Sequence, residues 1–336
     1  MCWRITALVG VLAALLVTSS FSARADALPS WNDGAAKQAI VKFVAAVTDK
    51  TAPGYVPPEQ RIATFDNDGT LWPSHPMYTQ LAFAVERIKA LAPKHPEWKT
   101  KQPFKAVLED DHEALAAAGQ HGIVELVMAS HAGMSTTEFE AIVTDWFAKA
   151  RHPRFKRRYT ELAYQPMLEL LAFLRDNGFK TYIVSGGGVE FMRPMTQAVY
   201  GIPPEQVVGS TIKTKYEVQN GKPVLMRLPE LDFNDDKDGK PISINKFIGK
   251  RPIAAFGNSA GDREMLQWTG GGNGSRLMML VLHDDAKREY TYGPANGLPA
   301  TKFGTFPPAL MEEAGKQGWV VISMKKDWRR IFAFDK

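Results

Sequence analysis

The chain has 336 residues and a formal net charge of +5; 45% of its residues are hydrophobic, 10% aromatic and 23% charged. Those proportions belong to a globular chain and exclude a disordered or fibrous one. The Lys and Arg residues are scattered, so the mild positive balance reads as a solvated surface that helps draw in anions, not as a nucleic-acid-binding stripe.

The N-terminal segment has the layout of a secretory signal. Arg4 gives a basic start, residues 5–17 form an apolar run, and Ala23-Arg24-Ala25 has the small-x-small form that is cut after its last residue. The alternative, a membrane anchor, suits the run less well, because a spanning helix needs about 20 apolar residues. Cleavage after Ala25 removes Cys2, the only cysteine. The remaining chain then has no disulfide, no catalytic thiol and no cysteine-ligated zinc. The expectation is a periplasmic or secreted bacterial protein with no membrane attachment after cleavage.

Residues 33–47 predict a helix, followed by a Pro/Gly-bearing stretch and a short apolar strand, 61–65, that stops at Asp66-Asn67-Asp68-Gly69-Thr70. From 76 to 158 the periodicity turns helical without strand signals. Candidate helices are 77–91, 104–118, 122–132 and 136–150, the last with Ser135 as its cap. Strand and helix then alternate. Residues 166–177 predict a helix, 180–184 a strand, 189–200 a helix, 252–256 a strand and 262–268 a helix. Residues 277–282 predict a strand, 307–317 a helix and 319–323 a last strand. The polar, β-prone stretch 207–236 reads as a hairpin beside the main sheet. This alternation implies an α/β fold: a Rossmann-like parallel-sheet core covered by helices on both faces, with an all-helical insert. The core is expected at 26–74 and 160–336 and the insert at 75–159.

In such folds ligands bind beyond the carboxyl ends of the strands. Three clusters follow predicted strands there: Asp66 to Thr70, Ser185-Gly186-Gly187-Gly188, and Gly257-Asn258-Ser259-Ala260-Gly261-Asp262. Two aspartates one residue apart repel unless a proton or cation lies between them, and Mg²⁺ with its taste for oxygen ligands would relieve that. Asp66 can then serve as a nucleophile, Asp68 can move the proton, and Thr70 can cap the turn or meet the substrate. An Asx-rich turn is the plain alternative. Ser185 offers a hydroxyl and the glycines offer backbone N–H groups to an anion, or else form a simple strand-to-helix turn. Phosphoryl transfer needs a cation near the nucleophile, and Lys240 and Lys246 both precede the 252–256 strand. Asn258 and Asp262 bring an amide oxygen and a carboxylate, with Asp262 as a helix cap the alternative.

In order along the chain these clusters resemble the motifs of the haloacid dehalogenase-like phosphohydrolase superfamily, most nearly its phosphoserine phosphatase-like branch. The resemblance spans about 62–282. It implies Asp66 as nucleophile, Asp68 as general acid/base and Lys240, with Lys246 in reserve, as the third-motif lysine. Ser185 and Gly186 would bind phosphate. Mg²⁺ would be held by Asp66, the Asp68 carbonyl and a fourth-motif side chain, Asn258 or Asp262. Gly257-Asn258 stands where that branch has Gly-Asp, which leaves the metal site one charge poorer unless Asp262 compensates. The helical insert falls where the family places a cap over the site, and His75, Tyr78 and Gln80 lie close enough after the first motif to reach substrate or to pack. His283-Asp284-Asp285 could form a rim, with surface or packing roles the plainer alternative. The expected activity is Mg²⁺-dependent hydrolysis of a small phosphorylated metabolite through an aspartyl-phosphate. The alternatives are phosphotransfer on the same fold or a catalytically silent phospho-ligand binder.

Overall fold

The computed structural model describes residues 26–335; the signal-like segment and Cys2 lie outside the described residues. Helix α1 (Ala35–Thr48) leads into strand β1 (Ile62–Phe65), all four of whose residues are buried. Five helices follow: α2 (Thr79–Leu91), α3 (Phe104–Leu108), α4 (His112–Ala117), α5 (Gly119–His131) and α6 (Thr136–Lys149). Next come α7 (Gln165–Asp176), β2 (Lys180–Gly188), α8 (Val189–Tyr200) and the hairpin β3 (Val207–Gln219) and β4 (Lys222–Phe233). The chain ends with α9 (Gly239–Ser243), β5 (Ala254–Gly257), α10 (Arg263–Gly270), β6 (Leu277–Leu282), α11 (Pro308–Gln317), β7 (Val320–Ser323) and α12 (Met324–Asp327).

The seven strands form one sheet in the order β4-β3-β2-β1-β5-β6-β7, parallel except for the β3–β4 pair. Successive residues of the inner strands pack on opposite faces. Ile183, Ala254, Phe256, Met279 and Val281 join one core cluster, while Val184, Ala255, Leu280 and Leu282 join another. Period-two alternation with both faces buried is what a helix-covered parallel sheet requires. From β1 the chain builds outward through β2 and β3, then crosses to β5 on the other side. The carboxyl end of β1 is therefore the switch point where such sheets bind ligands.

Three local expectations need correction. The hairpin is not beside the sheet but is its edge, because β3 pairs in parallel with β2 before turning back into β4. The helix expected over 104–118 breaks in two at Glu109-Asp110-Asp111. Asp110 takes φ 55°, and the Asp111 carboxylate caps α4 by accepting from the Ala114 N–H at 2.9 Å. Ser185 to Gly188 is not a turn after the strand but its last four residues, with an irregular register against β3.

Between β1 and β2, helices α2 to α5 share a small core of their own, with Leu81, Ile88, Trp98, Phe104, Val107, Leu115 and Leu126 buried together. Phe139, Val143, Trp146 and Phe147 of α6 belong instead to the large cluster against the sheet. That helix starts with a reciprocal cap: Ser135 Oγ accepts from the Glu138 N–H, and Glu138 accepts from the Ser135 N–H.

Candidate active site

Asp66 is the first residue beyond β1, and its N–H extends the ladder to β5 by donating to the Phe256 carbonyl at 2.9 Å. Rigid strands on both sides thus fix its backbone. Lys240, on the short helix α9, reaches back under the sheet edge and is only 1% exposed. Its ammonium donates three hydrogen bonds: to Asp66 Oδ1 at 2.8 Å, to Asp262 Oδ1 at 2.5 Å and to the Val184 carbonyl at 3.0 Å. All three N–H donors are used. Burial alone would lower the Lys240 pKa, but the charges of Asp262 and Asp66 outweigh it and hold the group above its ordinary value. Lys246 takes no part; it is exposed and lies over the Phe233 and Phe247 rings.

Asp68 accepts from the Trp72 indole N–H at 3.0 Å through Oδ1. Its other oxygen faces the glycines of β2, where a Cβ added to Gly187 would sit 3.7 Å from Asp68 Oδ2. Burial pushes Asp68 up to about 6, against the pull of Trp72. Asp66 is pushed up to about 8, by burial first and by the charge of Asp262 next. Ser185 is buried, and its Oγ accepts from the Gly187 N–H at 3.2 Å, shaping the strand end that carries Gly186 and Gly187 into the cavity wall.

Two expected site residues have other duties. Thr70 is fully buried and does not line the cavity; its hydroxyl donates to Asn258 Oδ1 at 3.2 Å. The turn at Gly69 carries Thr70 inward, where it meets Asn258 and not the cavity. Asp262 is not a free metal ligand: Oδ1 is taken by Lys240, while Oδ2 accepts from the Asn258 and Ser259 N–H groups, each at 2.9 Å. It orients the lysine and closes the fourth-motif turn.

Gly69 requires its residue type. It has φ +87°, and a Cβ there would stand 2.2 Å from Asn258 Nδ2. Gly69→Ala is expected to lower stability by roughly 2–3 kcal/mol through overpacking and backbone strain, read as a fall in the urea midpoint, and to reduce turnover with it. An unchanged midpoint would mean that Asn258 moves freely, against its buried packing.

Tyr78 and Gln80 do line the cavity; His75 does not, being stacked on Tyr292 with ring centroids 3.6 Å apart. Gln80 bridges two elements: Oε1 accepts from the Gly188 N–H at 2.7 Å, and Nε2 lies 3.1 Å from His131 Nε2. His283 is behind the motif, not at a rim. Its Nε2 donates to the Gly69 carbonyl at 2.8 Å and its Nδ1 is 3.0 Å from Glu289 Oε2. Asp284 and Asp285 hold the C-terminal segment and Arg288 instead. Sequence reasoning missed Asp235 and Asp236. Asp236 lines the cavity beside Gly186, and Asp235, pushed up to about 7 chiefly by burial, accepts from Ser243 Oγ at 2.6 Å. Their signal was present as a carboxylate pair just past β4 and shortly before Lys240.

A parallel α/β sheet thus gathers a buried aspartate, its lysine and a glycine-rich strand end at its switch point, where such folds bind ligands. The chain belongs to the haloacid dehalogenase-like hydrolase family, whose sequence profile matches residues 63–267. No curated protein matches it in sequence. Among solved structures it is similar to a protein with unknown function from Bordetella pertussis Tohama I, with a TM-score of 0.49, 15% identity, and coverage of 78% of this chain and 98% of that one. A functionally unknown protein from Anaerococcus prevotii DSM 20548 gives 0.49 and 18%, covering 74% and 85%. A phosphoserine phosphohydrolase-like protein from Francisella tularensis gives 0.37 and 16%, covering 66% and 88%.

Proposed function

We propose that the protein hydrolyses small phosphomonoesters, with Mg²⁺, through a phosphorylated Asp66. The observation that carries this reading is the Lys240 ammonium between Asp66 and Asp262 at a cavity wall of Ser185, Gly186 and Gly187. Lys240 takes Oδ1 of Asp66, which leaves Oδ2 for attack. In the first step Asp66 Oδ2 bonds to phosphorus as the ester P–O bond breaks, and Asp68 gives its proton to the departing oxygen. In the second, Asp68 takes a proton from water, the resulting hydroxide bonds to phosphorus, and the Asp66 O–P bond breaks to free phosphate and the carboxylate. A carboxyl pushed up to about 6 can both hold and release that proton near neutrality. Ser185 and the Gly186 N–H orient the phosphate.

The donor set fits Mg²⁺. Asp66, Asp68, Asp236 and Asp262 surround one ammonium, an excess of negative charge that a divalent cation would balance. Among the described residues no three His, Cys, Asp or Glu side chains converge on one metal position. That suits an ion which keeps waters and takes one or two carboxylates plus substrate phosphate. Asp66, the Asp68 carbonyl and Asn258 would hold it. The Asn258 amide is buried with its Nδ2 unpartnered, and a half-turn would give Thr70 a donor and free the oxygen. Bound there, Mg²⁺ would screen the phosphate charge. Helices α2 to α5 are assigned as a cap over the cavity, and residues 1–25 as a signal for export to the periplasm or beyond.

Purified protein lacking residues 1–25 is expected to release phosphate from p-nitrophenyl phosphate with Mg²⁺, to stop with EDTA and to resume when Mg²⁺ is restored. Undiminished release in EDTA would remove the metal from the account. Absence of release across a phosphomonoester panel would remove the hydrolase reading.

A further inference from the structure

The cavity at Asp66 has two chemically different ends. It encloses about 420 Å³, room for a small organic ligand and not only a phosphate. Beyond the aspartates its walls turn apolar. Helix α5 presents Ile123, Val124, Val127 and Met128 to it, positions that share one helical face. All four are half-buried, whereas Leu126 and Ser130 on another face of the same helix are fully buried. Ile212 and Leu231, cross-strand partners at the base of the hairpin, line the same cavity, and Leu231 remains 41% exposed. Part of this apolar surface is left open to the cavity, continuous with the catalytic end.

The polar side chains nearest α5 are mostly engaged with one another. Arg227 pairs with Glu190, donates through Nε to the His131 carbonyl at 2.8 Å and lies over the Phe139 ring. His131 is held neutral, chiefly by burial and then by the charge of Arg227. Its Nε2 faces the Gln80 amide and its Nδ1 faces Ser130 Oγ at 2.7 Å. The Gln80 oxygen is used by Gly188. Lys302 is exposed and donates to the Ala116 carbonyl, so its charge stays in solvent at the mouth. A substrate ammonium, carboxylate or sugar hydroxyl laid against the α5 and hairpin-base residues would lose water to apolar walls, which is costly. A hydrocarbon group would gain.

We propose that the substrate is a phosphomonoester of an apolar alcohol, alkyl or aryl, whose hydrocarbon part lies between α5 and the hairpin base while its phosphate meets Asp66. The proposal rests on the phosphohydrolase reading for the position of the phosphate. Turnover of n-alkyl phosphates from ethyl to hexyl tests it: kcat/KM is expected to rise about threefold to fourfold per methylene, with phenyl phosphate high in the ranking and O-phosphoserine at least tenfold below hexyl phosphate. A flat or falling series, or a preference for O-phosphoserine, overturns it. The n-alkylphosphonates, which cannot be hydrolysed, separate the two readings. A Tm increase that grows with chain length, without turnover of any ester, upholds the apolar end and sinks the hydrolase; turnover with no length dependence in either assay does the reverse. Val127→Asn is expected to cut the hexyl-to-ethyl ratio of kcat/KM at least fivefold. Should that helix variant fold poorly, Leu231→Asn on the half-exposed hairpin is expected to do the same, and an unchanged ratio in a folded variant contradicts the proposal.

Discussion

Asp66→Asn is expected to abolish phosphate release, by about 10⁴-fold or more, while the protein stays folded. The amide keeps the volume of the carboxylate and can still accept from Lys240 through its oxygen, so packing at the end of β1 is preserved. It has no nucleophilic oxygen to form the ester with phosphorus, and residual binding cannot replace that step. Stability should behave in a way that a generally disruptive change would not. Burial and the Asp262 charge raise the folded-state pKa of Asp66 from 3.8 to about 8. In metal-free protein the folded carboxyl therefore holds its proton between about pH 4 and 8 while the unfolded one releases it. The folded state then binds more protons, and the contribution of Asp66 to stability falls as pH rises through that window. The amide variant lacks this loss. Thermal unfolding in EDTA should show the variant gaining on wild type as pH rises from 4 to 8. Equal turnover, or a variant that loses ground with rising pH, would contradict the assigned environment of Asp66.

Lys240→Met should be the most damaging single change to stability. The methionine roughly fills the space but leaves the buried Asp262 carboxylate without its cation, and Asp66 Oδ1 and the Val184 carbonyl without a donor. Breaking a buried ion pair by removing one partner costs about 3–5 kcal/mol, which for a chain of this size is a fall in Tm of roughly 10 °C. Turnover should vanish as well, because Asp66 loses the contact that orients it. The control is Lys246→Met. That residue is also a lysine before β5, but it is exposed over two aromatic rings, and its loss should change neither Tm nor turnover measurably. A silent Lys240→Met beside a damaging Lys246→Met would reverse the assignment.

The parts of this molecule that read directly from sequence are those governed by local rules. Helix α8, strand β6 and the cap of α6 were legible because a period, a run of buried β-formers or a Ser-x-x-Glu spacing determines each of them without help from distant residues. The three site clusters were legible because strand ends in an alternating α/β chain meet at one edge. Side-chain duties inside the site were less so. Thr70 and Asp262 were expected at substrate and metal, yet both are turned inward to hold Asn258 and Lys240. Their orientation depends on a positive-φ glycine and on hydrogen bonds to the fourth-motif turn, neither of which has a sequence period. Asp236 escaped notice because it follows an edge hairpin that was read as peripheral; once β3 is seen to pair with β2, its position beside Gly186 follows. The apolar end of the cavity has the same origin. Ile123 and Val127 look like core positions in the sequence, and only the gap between α5 and the hairpin base shows that they line the cavity.

The central claim, that Asp66 is the group that takes the phosphoryl from substrate, is tested most directly by trapping. Protein mixed with ³²P-labelled p-nitrophenyl phosphate and Mg²⁺, quenched in acid within one turnover and digested, should carry label on the peptide containing Asp66, and the Asp66→Asn protein should carry none. Label on Ser185 or another residue, or turnover with no protein-bound label at any quench time, would contradict the account.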